Sequence, residues 1–193
     1  MNLEKLNSFI LADTDRCVGC RTCEIACALA HMETPPTVAG QISTRLVPRV
    51  FVVNLDDASA PIICRHCEDA PCSNVCKMGA ISRQGDRVVV DTDRCVGCRL
   101  CLMACPFGAI EFAPLDQHAA SVFPSATLPG SQPHKIMYRA NKCDLCFGRA
   151  EGPACIANCP EEALLRVDAS KASRRRRSVA ALELQAGHKT ALA

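Results

Sequence analysis

The sequence predicts an α+β fold of short helices and β-hairpins, arranged as two modules related by internal duplication. Three observations predict it. The nine residues DTDRCVGCR occur twice, at 13–21 and at 91–99, which chance cannot produce in a chain of 193 residues. The sixteen cysteines divide into four groups of four, with none left over. Short apolar runs such as SFILAD, APII and RVVVD precede the cysteine groups and are typical of strands.

Each cysteine group is predicted to follow an extended segment and to end in a helical turn. All four groups begin C-x2-C and end C-x3-C, and residues four apart share one face of a helix. After the second, third and fourth groups, the segments KMGAIS, PFGAIE and PEEALL predict turns into a following strand. A hairpin is predicted around residues 85–86, where two β-branched runs flank a turn signal.

Two segments interrupt this pattern, and one follows it. Residues 33–61 contain TPPT and then RLVPRVFVVNL, which predict a loop followed by a strand. Residues 114–133 contain four prolines together with Gly, Ser and Gln, which predicts an irregular surface loop. The segment from residue 169 contains SRRRRSVAALELQ and is predicted to be helical in part.

Composition indicates that something other than large apolar side chains organises the interior. The chain has no Trp, one Tyr and six Phe. We expect a cytoplasmic protein with no transmembrane segment, because no signal sequence, twin-Arg motif or run of 18 apolar residues occurs. In that reducing compartment, many cysteines indicate metal binding or redox chemistry rather than disulfides.

The cysteine spacing predicts four [4Fe–4S] clusters. Groups one and three both read C-x2-C-x2-C-x3-C, the bacterial ferredoxin run, whereas the middle gap is four residues in group two and eight in group four. A zinc site would instead favour two C-x2-C pairs separated by a dozen or more residues. In chain order the groups are Cys17, Cys20, Cys23, Cys27; Cys64, Cys67, Cys72, Cys76; Cys95, Cys98, Cys101, Cys105; and Cys143, Cys146, Cys155, Cys159.

The clusters would change the charge of the protein. The chain has a formal net charge of +2. An oxidised cluster with four thiolates contributes about −2, so four clusters would bring the protein to about −6. Basic residues beside the cysteines, such as Arg21, Arg99 and Lys142, are therefore predicted counter-charges to the clusters.

The pairing of the groups sets the predicted domains. In two-cluster ferredoxins the fourth cysteine of one run ligates the cluster of the other run, a rule that does not say which groups pair. Groups two and three are adjacent and predict an inner module over residues 61–112. Groups one and four then pair across the chain, predicting an outer module over 1–60 and 135–168. Residues 113–134 are a Pro-rich loop and 169–193 a basic C-terminal tail.

The motifs CRTCEIAC, CRHCEDAPCSNVC, CRLCLMACPFGAIE and NKCDLC…EGPACIANCP, within residues 9–168, resemble those of the four-cluster electron-transfer subunits of molybdenum or tungsten oxidoreductases. These include the iron–sulfur subunits of formate dehydrogenase and formate hydrogenlyase and the B subunit of dimethyl sulfoxide reductase. The resemblance implies four ligand sets: Cys17, Cys20, Cys23, Cys159 (cluster 1); Cys27, Cys143, Cys146, Cys155 (cluster 2); Cys64, Cys67, Cys72, Cys105 (cluster 3); and Cys76, Cys95, Cys98, Cys101 (cluster 4).

The resemblance also implies a function, namely single-electron relay between a catalytic subunit, such as that of formate dehydrogenase, and an acceptor such as a hydrogenase. Three alternatives stay open. The chain could be a free-standing polyferredoxin or a maturation helper for a metalloenzyme. It could instead serve another molybdenum oxidoreductase, or be a structural scaffold whose clusters dithionite cannot reduce.

Two residues beside ligands are candidates for tuning reduction potentials. Lys77 stands where the family often has Pro, and its charge could raise the potential of the cluster that Cys76 completes; a solvated side chain is the alternative. His66 lies between two ligands in CRHCED and could be a proton-coupled partner, although a hydrogen-bonding role is favoured.

The remaining motifs indicate no catalytic activity. No nucleotide-binding fingerprint, Ser/His/Asp order or paired carboxylates occur, so we expect the chain not to be an enzyme by itself. The arginines at 174–177 form either a solvated tail or a docking surface for an acidic partner, and we expect no nucleic-acid partner. His31, His118, His134 and His188 stand alone and are assigned no chemistry.

Overall fold

A computed structural model describes residues 7–42, 44–114 and 137–191. Short strands and short helices are mixed along these residues and are followed by one longer helix, which confirms the α+β class. The strands are β1 Ser8–Ala12, β2 Val50–Asn54, β3 Ser59–Ile63, β4 Ile81–Gln84, β5 Arg87–Val90, β6 Glu111–Pro114, β7 Tyr138–Asn141 and β8 Leu164–Asp168. The α-helices are α1 Thr22–Ala30, α2 Pro71–Asn74, α3 Leu100–Ala104, α4 Ala154–Ala157 and α5 Ala169–Ala191.

The strands form two-stranded antiparallel sheets, four of them in the described residues. β1 pairs with β8, with Ser8 opposite Asp168, so the first and last of the described strands lie side by side. β4 and β5 form the hairpin predicted at residues 85–86, with Arg83 opposite Val88. The other two sheets are β2–β3 and β6–β7.

The local predictions are confirmed. A strand precedes each of the four cysteine groups, and a strand follows groups two, three and four. β2 follows the predicted loop, and the helical turns at the C-x3-C steps are α1 to α4. The predicted domain boundaries at residues 60 and 112 fall inside β3 and β6, so the β2–β3 and β6–β7 sheets join the two predicted modules. The prediction of an irregular loop over 114–133 lies outside the described residues from residue 115 onward.

The buried residues form two cores in which cysteines take much of the place of large apolar side chains. Among the described residues, no aromatic side chain is a fully buried member of either core. The outer core consists of Ile10, Cys23, Cys27, Val50, Val52, Ile63, Cys64, Ala109, Cys143, Leu145, Cys155 and Leu164. The inner core consists of Ala70, Cys72, Ala80, Ile81, Val88, Cys95, Cys101, Ile110 and Ala140.

Helix α5 begins directly after β8 and extends as a polar, exposed element. Asp168 stands before its first turn, and its Oδ1 accepts hydrogen bonds from the Lys171 backbone N–H at 3.0 Å and from the Ser170 hydroxyl at 2.5 Å. The four arginines at 174–177 are exposed. Within the described part of the chain, no helix combines the length and the apolar character needed to cross a membrane.

Candidate metal centres

The two copies of DTDRCVGCR have matching backbone conformations. Gly19 and Gly97 have positive φ angles of 68° and 74°, and Arg21 and Arg99 have φ angles of 60° and 67°. These left-handed residues turn the chain sharply, and α1 and α3 begin at the next residue. The next cysteine after each copy, Cys23 or Cys101, therefore lies in the first turn of a helix, where it is buried.

Site 1 is a small cavity next to the β1–β8 sheet. Its cysteines are Cys17, Cys20, Cys23 and Cys159, and apolar side chains such as Val52 and Leu164 line the rest. Burial raises the pKa of Cys23 to about 11, and the neighbouring thiols of Cys20 and Cys159 act in the same direction. Site 1 therefore combines three cysteines of group one with the last cysteine of group four.

Site 4 is a similar small cavity next to the β4–β5 hairpin. Its cysteines are Cys76, Cys95, Cys98 and Cys101, and the side chains of Met78, Val96 and Phe112 are among its lining. Burial raises the pKa of Cys101, and the thiols of Cys95 and Cys98 add to the rise. Site 4 thus combines three cysteines of group three with the last cysteine of group two.

Site 3 is formed by Cys64, Cys67, Cys72 and Cys105. Burial raises the pKa of Cys72 to about 11; the charge of Lys142 opposes the rise, while the thiols of Cys64 and Cys105 add to it. Burial raises the pKa of Cys67 as well, and the same two thiols contribute. Cys105, from group three, packs against both the outer core, which contains Cys64, and the inner core, which contains Cys72, so it lies beside cysteines of group two.

Site 2 is formed by Cys27, Cys143, Cys146 and Cys155. Burial raises the pKa of Cys155 to about 12, and the thiols of Cys27 and Cys146 add to the rise. Burial also raises the pKa of Cys143, to which the thiols of Cys155, Cys64 and Cys27 contribute. The last cysteine of group one therefore lies among the first three of group four, and Cys64 of site 3 lies nearby.

Backbone N–H groups point at several of these sulfur atoms. Arg49 N donates to Cys27 Sγ at 3.3 Å, and Ala163 N donates to Cys159 Sγ at 3.3 Å. His66 N donates to Cys64 Sγ, and Leu145 N donates to Cys143 Sγ, both at 3.4 Å. Such bonds favour the thiolate over the thiol, and they tune the reduction potential of a thiolate-bound cluster.

These surroundings fit iron–sulfur clusters. Each site supplies the four cysteine donors that a [4Fe–4S] cluster requires. Burial that raises the pKa of thiols keeps them protonated until a positively charged metal displaces the protons. Apolar side chains line the inner part of sites 1 and 4, while Cys20 and Cys98 stay exposed. In sites 2 and 3, backbone N–H donors stabilise negative charge on the sulfur atoms of Cys27 and Cys64.

An ion-pair network beside site 2 was not predicted from the sequence. His31 Nδ1 donates to the Cys27 carbonyl at 2.7 Å, and its Nε2 donates to Asp144 Oδ1 at 3.0 Å. Arg49 Nη1 donates to Asp144 Oδ2 at 2.6 Å. Burial alone would lower the pKa of His31, but the bonds to Asp144 and Cys27 outweigh it and raise that pKa to about 9. For Asp144 burial acts in the opposite direction and would raise the pKa, yet His31 and Arg49 hold that pKa well below its usual range.

The two candidate tuning residues lie in different surroundings. His66 is fully buried, and the Val88 backbone N–H donates to its Nδ1 at 3.0 Å. Burial, assisted by the charge of Lys142, lowers the pKa of His66 to about 3, so the ring is neutral near pH 7. Lys77 is exposed. His118 and His134, and the side chain of His188, lie outside the described residues.

Comparison with known proteins finds relatives that match most of the length of this chain. Residues 88–111 match the family described as 4Fe-4S binding domain. The chain is 43% identical over 180 residues to the electron transport protein HydN of Escherichia coli strain K12, covering 90% of this chain and 98% of HydN. It is 39% identical over 190 residues to formate hydrogenlyase subunit 2 of the same strain, covering 90% of each chain.

These identities extend over nearly the full length of both relatives, and the matched 4Fe-4S segment contains the cysteines of group three. The chain therefore belongs to the ferredoxin-type iron–sulfur family of electron transport proteins that includes HydN and formate hydrogenlyase subunit 2.

Proposed function

We propose that this protein binds four [4Fe–4S] clusters, one at each of sites 1 to 4, and relays single electrons along them. The observation that supports the proposal best is the lining of the two cavities. Each is bordered by four cysteines, three from one group and the fourth from another, as in two-cluster ferredoxins. The matching backbone of the two DTDRCVGCR copies supports an origin by internal duplication, with outer and inner modules.

The sites follow one another in the order 1, 2, 3, 4. Cys23 of site 1 and Cys155 of site 2 belong to the same outer core, and the thiol of Cys23 adds to the raised pKa of Cys155, after burial and the thiols of Cys27 and Cys146. Cys64 of site 3 similarly affects Cys143 of site 2. Cysteines of sites 3 and 4, among them Cys72 and Cys101, belong to the same inner core. This order gives the chain two terminal sites and two central ones.

The terminal sites are the ones open to a partner. Cys20 of site 1 and Cys98 of site 4 are the two exposed cysteines of the chain. Apolar side chains stand beside them, with Val18 65% exposed and Val96 58% exposed. Exposed apolar side chains around a redox site suit contact with another protein surface. We therefore place electron entry and exit at these two sites.

The residues of the chain hold, insulate and tune the bound groups. A bound cluster supplies one-electron transfer at a low potential, by analogy with bacterial ferredoxins. The cysteine thiolates hold each cluster, and backbone N–H groups such as those of Arg49 and His66 stabilise charge on sulfur. All the cysteines are used in this assignment, so none is left to act as a nucleophile. This supports a carrier rather than an enzyme.

The relatives point to the kind of partner. Formate hydrogenlyase subunit 2 covers 90% of this chain, and we propose that this protein likewise links a formate dehydrogenase-type catalytic subunit to a hydrogenase or similar acceptor. A cytoplasmic location fits that role. A free-standing polyferredoxin would have the same clusters and would lack a permanent partner.

The test is anaerobic purification of the tagged protein from its native host, with iron, sulfide and co-eluting subunits determined together. About 16 iron atoms per chain are expected, with a molybdenum enzyme or a hydrogenase in stoichiometric amount. Full iron without a co-eluting subunit would support the free polyferredoxin instead. Iron content well below that of four clusters would contradict the ligand assignment itself.

A further inference from the structure

Lys142 is a buried cation next to the cysteines of group four. Only 3% of the residue is exposed, and among the described residues it is the one buried lysine or arginine. Its Nζ donates to the carbonyl oxygens of Cys143, at 2.9 Å, and of Val88. These carbonyls satisfy part of its hydrogen-bonding capacity and provide no opposite charge.

No carboxylate compensates this charge in the described residues, where no ion pair involves Lys142. The closest acidic residue in sequence, Asp144, already accepts from Arg49 at 2.6 Å and from His31 at 3.0 Å. A buried ammonium without a counter-ion is strongly unfavourable, so a chain that retains one places an anion near it.

The ammonium lies between sites 2 and 3. It contacts Cys143, a cysteine of site 2, through the carbonyl. It also contacts Val88 on β5, whose N–H donates to His66, one of the two residues between the site 3 cysteines Cys64 and Cys67. In addition, the charge of Lys142 lowers the pKa of Cys72 in site 3, against the larger effect of burial. The missing anion is therefore expected from the cysteine sites on either side.

We propose that Lys142 is the shared counter-charge of the two central clusters and holds their reduction potentials above those of the two terminal clusters. The inference rests on the proposed function. Reduction by one electron changes a thiolate-bound cluster from about −2 to about −3, so a fixed cation beside it stabilises the reduced form more. Sites 1 and 4 have no buried lysine or arginine in the described residues. Electrons would then occupy the two central clusters preferentially and would leave through a terminal cluster.

The experiment is an anaerobic redox titration with dithionite, followed by EPR, of the wild type and of Lys142→Met. Methionine keeps the length of the side chain and removes its charge. We expect at least one cluster to have an equilibrium constant for reduction about ten-fold lower, a shift of about 59 mV for a one-electron couple. Lys171→Met is the matched control, because the Lys171 side chain is 84% exposed, and its midpoints should match the wild type.

A second measurement covers the case in which Lys142→Met loses its clusters. In the wild-type background, Cys67→Ser and Cys98→Ser alter or abolish the EPR signal of site 3 and of site 4 respectively. The proposal predicts that Cys67→Ser changes a signal that appears early in the reductive titration, and that Cys98→Ser changes a late one. The reverse order would overturn it.

Iron content separates failure of this inference from failure of the proposed function. A wild type with about 16 iron atoms per chain, together with unmoved midpoints in Lys142→Met, would overturn only the role of Lys142. A wild type with far less iron would overturn the four-cluster proposal on which that role depends.

Discussion

The terminal sites 1 and 4 differ from the central sites 2 and 3 in how far the protein encloses them. Each terminal site includes one exposed cysteine, Cys20 or Cys98, whereas no cysteine of the central sites is exposed. Exposed apolar side chains stand beside both terminal sites, and Phe147, next to Cys146 of site 2, is exposed as well. Buried or half-buried charged residues stand beside the central sites: Lys142, and the network of His31, Arg49 and Asp144.

This difference indicates a division of tasks along one relay. Exposure shortens the distance to a partner, so the terminal sites suit exchange of electrons with other proteins. Enclosure lowers the local dielectric and strengthens the effect of each charge and hydrogen bond. The central sites are therefore where the sequence has most control over reduction potential, and they are also where the cysteines contribute most to the core.

The largest expected effect is that of removing iron. Five of the twelve buried residues of the outer core are cysteines, among them Cys27, Cys64 and Cys143. Without iron nothing links the four thiols of a site, and the free energy of metal binding that supports folding is lost. We expect the far-UV circular dichroism of the native protein to be largely lost after anaerobic chelation. A native-like spectrum of the iron-free chain would contradict this account of the core.

Single cysteine replacements should separate the central sites from the terminal ones. Cys143 is buried in the outer core, whereas Cys20 is exposed. Cys143→Ala is expected to lose the site 2 cluster and to reduce the melting temperature strongly, since a buried ligand and its packing are lost together. Cys20→Ala is expected to affect site 1 alone, with a smaller change in melting temperature. Thermal unfolding monitored by circular dichroism compares the two variants.

The two terminal sites should themselves differ in tolerance to a methyl group. A Cβ at Gly97 would lie 2.6 Å from the backbone oxygen of Tyr138, whereas one at Gly19 would meet the side-chain Oγ of Ser59, at 2.5 Å. Both glycines have positive φ, so alanine costs about 1–2 kcal/mol at either position before any contact is counted. The backbone oxygen cannot rotate away as a hydroxyl can.

Gly97→Ala should therefore destabilise the protein more than Gly19→Ala in chemical denaturation under anaerobic conditions. Gly85→Ala is the matched control for the effect of φ alone, because Gly85 has φ of 63° and no atom within 4 Å of the added Cβ. Equal destabilisation by all three variants would show that the contacts of Gly19 and Gly97 do not contribute to the free energy of unfolding.

The smallest expected effect concerns the exposed lysine at a terminal site. Lys77 follows Cys76 of site 4 and is exposed, so solvent and salt screen its charge. We predict that Lys77→Pro lowers the midpoint potential of the site 4 cluster, and by less than Lys142→Met lowers that of a central cluster. EPR-monitored titration at low salt gives both shifts. An unmoved midpoint would contradict a tuning role for Lys77.

Local features of the fold could be predicted from the sequence because they depend on short segments. The hairpin at residues 85–86, the helical turns at C-x3-C and the strands that flank the cysteine groups all follow from neighbouring residues. The iron–sulfur character that the 4Fe-4S match over residues 88–111 supports was predictable for a related reason, since the C-x2-C-x2-C-x3-C spacing is itself the signal.

Features that join distant segments could not be predicted in this way. His31 and Asp144 are 113 residues apart, and no spacing rule links them. Burial of Lys142 depends on the approach of β5 to group four, which the sequence pattern does not encode. The predicted boundaries at residues 60 and 112 were placed by cysteine groups, so they did not anticipate that β3 and β6 each pair with a strand across the boundary.

The crossed arrangement of the cysteines is the central claim, and one comparison of double variants tests it most directly. Cys17→Ala is combined either with Cys159→Ala or with Cys27→Ala, and the cluster signals are counted by EPR of the reduced protein. The account predicts that the Cys17/Cys159 pair disturbs one cluster, because both residues serve site 1, and that the Cys17/Cys27 pair disturbs two. One disturbed cluster for Cys17/Cys27 and two for Cys17/Cys159 would mean that each cysteine run holds its own cluster, which would contradict the account.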